Sequence, residues 1–171
     1  MSRRVAAVPR ILPATDADIE AVAAIVAETW HATYAPLVGA DAVRHMVAAL
    51  LRPDELRSLA IARDIDMPVA LIGTTLAGTA LARHRHDSLH ILRLYVSPRF
   101  QGQGVGRALL DWLAARQPPD CPIHLEVAAA NTRALRFYRD AGFIDRGGDR
   151  DTIAGIDFDI RRLERPGAPA A

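Results

Sequence analysis

Apolar residues return every three to four positions in the first third of the chain, and strand-like apolar runs alternate with helical spacing after it. Ile19, Val22, Ala23, Ile25, Val26 and Trp30 share one helical face, so a helix is predicted over about 16–34, capped by Thr15 or Asp16 with acidic residues in its first turn. Pro36 and Gly39 punctuate it. A second helix over about 40–51 carries Val43, Met46, Val47 and Leu50 on one face, and Pro53 opens a short third helix through about Arg63. A short strand over 8–12 precedes all three. From Pro68 the texture changes. "VALIG" and "TLAGTALARH" read as strands joined by a tight turn at Gly73-Thr74, and "LHILRLYV" is a strand over 89–96, ended by Pro98. Val105, Leu109, Leu110, Trp112 and Leu113 predict a helix from Gly104 to about Arg116, followed by the strand "IHLEVA" over 123–128. "NTRALRFYRDAG" is a helix with Asn131 or Thr132 as cap and Gly142 as stop. "FIDRGGD" and "IAGIDFDIRRL" finish as a strand pair around Gly147-Gly148 and Asp149–Thr152. Neither an internal repeat nor an interdomain linker interrupts this mixed α/β order. The expectation is one domain over 1–171, with its core at about 8–163 and a frayed Pro/Ala-rich tail over 164–171.

Composition narrows the classes. The chain has 171 residues, half of them hydrophobic, enough for one sizeable core. Its net charge is +1, so bulk charge attracts neither nucleic acid nor an anionic membrane surface. All the basic side chains other than histidine are arginine, since the sequence holds no lysine. A single cysteine, Cys121, excludes an intrachain disulfide. The opening "MSRRVAAVPRIL" has two arginines but no long apolar stretch behind them, so a soluble cytoplasmic protein is expected.

The chemistry concentrates in "FQGQGVG", residues 100–106. Glycines Gly102, Gly104 and Gly106 lie between a strand and a helix. A helix N-terminus presents unpartnered N–H groups and partial positive charge, and glycine removes the β-carbons that would keep a phosphate away. The turn therefore reads as an anion cradle. It is not a P-loop, because Gly106-Arg107-Ala108 stands where Gly-Lys-Ser/Thr is needed, and its glycine spacing differs from the dinucleotide fingerprint.

The loop does resemble another pattern. Gln/Arg-x-x-Gly-x-Gly/Ala, after a strand and opening a helix, is the coenzyme A pyrophosphate loop of the GNAT acetyltransferases, and Gln101, Gly104 and Gly106 match it. Upstream, "LRLYVSPRF" resembles that family's fourth strand. Downstream, Asn131, Ala134, Phe137-Tyr138 and Gly142-Phe143 resemble its fifth strand and following helix. The resemblance is strong over about 89–144. It implies a mostly antiparallel central sheet of about six or seven strands, with the fourth and fifth splayed apart and helices on the flanks. It also implies acetyl-CoA as cosubstrate, with the pantetheine arm in the splay. Leu94 and Val96 would pair with that arm through their backbones, and the N–H groups of Gln101, Gly102, Gln103, Gly104, Val105, Gly106 and Arg107 would hold the pyrophosphate. Asn131 would contact the arm, cap its helix, or do both.

Acyl transfer to an amine needs the amine deprotonated, a donor for the oxyanion and a proton for the departing thiolate. Tyr138 matches the family's tyrosine at the cofactor sulfur and is the candidate general acid; its other reading is a ring packed on the sheet. The backbone N–H of Tyr95 or Val96 is the oxyanion candidate. His90 sits where some members carry a base, and strand alternation puts it on one face with Leu92 and Leu94. An imidazole with pKa about 6.5 suits that duty. Glu126 on the neighbouring strand is the second candidate, and a water chain the third.

His31 and Tyr34, at the end of the first helix, are candidates for the acceptor pocket, and Arg93 faces either an acidic substrate group or solvent. His84, His86 and His90 lack a cysteine or acidic partner, so no metal is expected. The expected partner is a small-molecule or peptide amine. The alternation in "IAGIDFDIRRL" also suits a strand edge that pairs with a second copy. The rival to catalysis is a module that senses acetyl-CoA without transferring its acyl group.

Overall fold

The structure, a computed structural model, describes residues 8–168. The elements follow in the order β1 (Arg10–Pro13), α1 (Ile19–Val38), α2 (Ala40–Leu50), α3 (Pro53–Ala60), β2 (Ile65–Asp66), β3 (Pro68–Ile72), β4 (Thr75–His84), β5 (Leu89–Val96), α4 (Val105–Ala114), β6 (Ile123–Ala128), α5 (Thr132–Asp140), β7 (Ile144–Ile153) and β8 (Ile156–Arg165). Eight strands form one sheet in the order β1-β3-β4-β5-β6-β8-β7, with the two-residue β2 paired to β4. Every pairing is antiparallel except β5 with β6. That pair is parallel because α4 carries the chain back across the sheet between them.

Helices cover both faces. On one, α4 and α5 bury Leu109, Leu110, Leu113 and Tyr138 against β3–β6. On the other, α1–α3 bury Ile19, Val22, Val26, Trp30, Val43, Met46 and Leu56 against β4, β6 and β8. Gly78 on β4 permits the tight approach of α4: a Cβ there would lie 2.8 Å from the Tyr95 carbonyl oxygen and 3.0 Å from Val105. Among the described residues no helix is long and apolar enough to cross a membrane.

The differences from expectation have local causes. Helix α1 continues through Pro36 to Val38 and stops at Gly39, whose φ is +88°. Proline near a helix end forfeits one backbone bond, which a packed helix tolerates. The last hairpin turns at Ala154-Gly155, and Asp149–Thr152 lies inside β7. Gly147-Gly148 forms a bulge between Asp145 and Gly148 instead of a turn. Glu164 and Arg165 belong to β8, and the Ala168 N–H donates to the Pro119 carbonyl, so the end of the chain is tied in up to that residue. The expected tail beyond Ala168 and the opening seven residues lie outside the described residues. Strand β8 is paired on both sides, by β6 and β7, and so offers no edge to a second copy. The edge at this end of the sheet is β7, and Asp145, Arg146, Asp149, Arg150 and Asp151 crowd it with charge, a pattern that resists edge pairing.

Candidate functional site

The site begins where two strands part. Leu89, His90 and Ile91 of β5 pair with Ile123, His124 and Leu125 of β6, and no pairing joins the strands beyond that point. The rest of β5 stays with β4 and the rest of β6 with β8. A cleft of about 540 Å³ opens in the fork. Residues 91–96 form one wall, 125–128 the other, and the glycine loop closes one end.

The backbone along the first wall is free to bind. The Ser97 N–H donates to the Ala77 carbonyl, and the adjoining register sets Tyr95 opposite Thr79. Antiparallel alternation then commits the Tyr95 backbone to β4 and turns the polar groups of Leu94 and Val96 toward the gap. The Tyr95 N–H is therefore not available as the oxyanion donor. The Gln101 side chain donates to the Val96 carbonyl at 3.0 Å, which pins the loop to the end of β5.

The loop has the form of a cradle. Gly102 and Gly104 hold φ of +78° and +82°, with open space where a Cβ would stand. Gly104 caps α4, so the N–H groups of Val105, Gly106 and Arg107 face outward at its first turn. A Cβ on Gly106 would reach ordinary contact with the Phe137 ring, at 3.4 Å. Gln101, Gly102, Gly104, Val105, Gly106 and Arg107 all line the cleft. Gln103 does not; its amide donates back to the Arg99 carbonyl at 2.9 Å and braces the turn from outside. The Arg107 guanidinium is held by Asp111 at 2.9 and 3.0 Å.

Asn131 accepts from the Ala134 N–H at 3.1 Å, capping α5, and lines the cleft as well. Tyr138, about two turns on, is only 7 % exposed, with its ring edge-on to Phe137 and Phe143. It reaches the cleft from the α4–α5 face. Tyr34 and Tyr95 reach it from the opposite face. Burial pushes the Tyr138 hydroxyl well above the ordinary phenol range, and nearby Tyr95 and Tyr34 push it further. Burial does the same to Tyr34, with Tyr95 adding and the Asn131 side chain opposing. Burial raises Tyr95 too, with Trp30 and Arg93 opposing. Three phenols thus converge on the fork and stay protonated at neutral pH, able to donate but not to act as bases.

His90 lies elsewhere. It faces His124 across the closed, paired base of the fork, ring centroids 5.1 Å apart, and does not line the cleft. Burial lowers its pKa, with His124 and Arg85 adding to the effect. Its expected face also changes. Leu81 pairs with Arg93 and Ala82 with Ile91, so Leu92 is an extra, bulged residue. The bulge reverses the phase: Leu94 packs with Leu89 and Ile91 on the α4–α5 side, leaving His90 on the side of Arg93 and Tyr95. His31 on α1 does not line the cleft either.

Tyr34, Arg93 and Glu126 do line it. Arg93 donates to the Leu50 carbonyl at 3.3 Å, tying the C-terminal end of α2 to β5. Glu126 is the first residue of β6 past the fork and lies 3.6 Å from Arg162. Sequence reasoning missed Thr29, Arg133, Asp151 and Phe158, which line the cleft from α1, α5, β7 and β8. Thr29 had a signal in its place on the buried stripe of α1; Asp151 and Phe158 had none, because the hairpin that carries them was given a different turn. Among the described residues no group of three or more His, Cys, Asp or Glu side chains is arranged to hold a metal ion.

The model of the Acetyltransferase (GNAT) family matches residues 26–143. The chain belongs to that family. This family member is 32 % identical over 137 residues to a mycothiol acetyltransferase from Jonesia denitrificans, a match covering 78 % of this chain and 41 % of that protein. It thus spans less than half the length of that relative. Its fold resembles the crystal structure of the PaiA N-acetyltransferase from Thermoplasma acidophilum in complex with coenzyme A, with TM-score 0.82, 21 % identity, and coverage of 93 % of this chain and 99 % of that one. It also resembles the ribosomal-protein-S18-alanine N-acetyltransferase from Escherichia coli, with TM-score 0.69, 21 % identity and coverage of 96 % and 97 %.

Proposed function

We propose that this GNAT-family protein transfers an acetyl group from acetyl-CoA to a primary amine, directly, with both substrates bound at once. The observation that carries the reading is the fork between β5 and β6, closed at one end by a glycine cradle on the α4 N-terminus and lined by the protonated Tyr138. A pyrophosphate fits the cradle because the positive-φ glycines leave open the space a side chain would fill. Acetyl-CoA supplies an activated thioester. An arm entering from the loop meets the backbone of Val96 first and Leu94 deeper in the fork. The Leu94 N–H, not that of Tyr95 or Val96, is then the donor closest to the reacting carbonyl.

The residues divide the proton work. Glu126 takes the first proton from the entering ammonium and passes it to solvent. The neutral nitrogen bonds to the acetyl carbon as the carbon–sulfur bond breaks. Tyr138 gives its proton to the departing sulfur and recovers one from the nitrogen. The balance is an amide, free coenzyme A and one released proton. His90 lies outside the cleft and has no part in this scheme.

Calorimetric titration with acetyl-CoA, coenzyme A and ATP, paired with a free-thiol assay over a library of amines, tests the proposal. Binding of the first two without ATP, and thiol release with an amine, are expected. Binding without transfer to any amine would make the protein a sensor of acetyl-CoA. No binding would reduce the loop to a turn.

A further inference from the structure

The charges lining the cleft are sorted. Arg107 and Arg133 stand by the glycine loop and the start of α5. Glu126 and Asp151 line the opposite side, toward α1. Asp151 pairs with Phe158, Asp149 and Ala128 both pair with Ile160, and Glu126 pairs with Arg162. Directly opposed antiparallel residues share a face, so Glu126, Asp149 and Asp151 project together with Phe158 and Ile160 onto the α1 side. One cation is among them, Arg162, and it bridges Glu126 and Asp149. Asp151 makes no ion pair among the described residues; its carboxylate accepts only the Thr152 N–H.

Beneath this acidic rim the wall is aromatic. Tyr34 lies edge-on to Phe158 with centroids 5.6 Å apart, and Trp30 stands edge-on to both Tyr34 and Tyr95. Thr29, only 8 % exposed, belongs to the same wall, and its hydroxyl has no protein partner. A buried hydroxyl left unpaired is costly, and this one lies behind the aromatic side chains as an unused donor in the acceptor wall. The one lining cation on this side, Arg93, stands on the facing wall of the fork, on β5; it donates to the Leu50 carbonyl through one nitrogen, and no carboxylate pairs with it among the described residues.

We propose that the acceptor is a small amine with an apolar or aromatic body and no carboxylate beside its reacting nitrogen. Its ammonium is drawn in by Asp151 and Glu126, and its body rests on Tyr34 and Phe158. An amino acid would bring its own carboxylate against the acidic rim, and like charges there reject it. An extended polyamine would gain from the rim but leave the aromatic wall unfilled. The cleft must also admit the cofactor arm, so its volume of about 540 Å³ suits a small acceptor. This inference rests on the acetyltransferase reading above.

The test compares kcat/KM for 2-phenylethylamine, L-phenylalanine, spermidine and a short peptide with a free N-terminus, with acetyl-CoA saturating. 2-Phenylethylamine and L-phenylalanine differ by one carboxylate, and the first is expected to be favoured about 100-fold. Asp151 is exposed, so Asp151→Asn folds. It is expected to raise KM for 2-phenylethylamine about tenfold, with kcat and the KM for acetyl-CoA within twofold of the parent. Preference for phenylalanine, spermidine or the peptide, or an Asp151→Asn enzyme with unchanged KM for the amine, overturns the inference and leaves acetyl transfer standing. Calorimetric binding of acetyl-CoA with no thiol release from the whole panel overturns both.

Discussion

Tyr138 carries most of the chemistry assigned to a single side chain. Its hydroxyl is pushed up by burial, so it remains a proton donor at any working pH. Tyr138→Phe keeps the ring between Phe137 and Phe143 and removes only that donor. It is expected to lower kcat about 100-fold and leave the calorimetric affinity for acetyl-CoA within twofold. Unchanged turnover would hand the acid role to water. Gly104 tests the cradle: Gly104→Val puts a branched side chain at φ +82° into the open space that the proposal gives to the pyrophosphate. Affinity for acetyl-CoA should fall at least tenfold, and thermal melting of the variant separates loss of the cradle from loss of the fold. These residues were legible in the sequence because each is set by its chain neighbours. Asn131 caps the helix it starts, and the glycines serve the turn they occupy. Gln103 sits in the same loop, yet it braces the turn from outside, a distinction that depends on which way one side chain points.

At the scale of elements, the approach of α4 to the sheet depends on Gly78. Gly78→Val would drive a side chain into the Tyr95 carbonyl and Val105, and a cost of about 1–3 kcal/mol is expected from chemical denaturation. The variant should also bind acetyl-CoA more weakly, since the displaced helix carries the cradle. The base of the fork has its own signature. His90 is held neutral in the folded state, with its pKa lowered by burial and by His124. The unfolded chain then binds more protons, so stability is full above about pH 6.5 and is lost as pH falls through the lowered folded value. His90→Asn is expected to flatten the fall in melting temperature between pH 7 and pH 5, without altering the pH dependence of turnover. The strands themselves were visible from their alternation. The bulge at Leu92 was not, because an extra residue in β5 is defined only by its partners on β4. That bulge moved His90 and Leu94 to opposite faces and removed the argument that joined them.

Over the whole molecule, the cleft lies between two helical layers that share one sheet. A ligand bound there holds both layers to the forked strands. Acetyl-CoA at 100 times its Kd should add about 2.7 kcal/mol to stability, a rise of roughly 5–10 °C in Tm, measurable by calorimetric scanning. No rise would mean that the fork does not bind the cofactor in the folded state. The sequence by itself determined the mixed α/β order, the glycine turn at 102–106 that opens α4, the cap at Asn131 and the tyrosine on the helix it starts, because each arises from local periodicity, turn chemistry or a short motif. Only the tertiary structure decided that β5 and β6 part after Ile91 and Leu125. It alone set the last hairpin to turn at Ala154-Gly155, bringing Asp151 and Phe158 to the cleft, and left His90 at its closed base. Those outcomes depend on which strands pair and in what register, and register is a property of two segments at once.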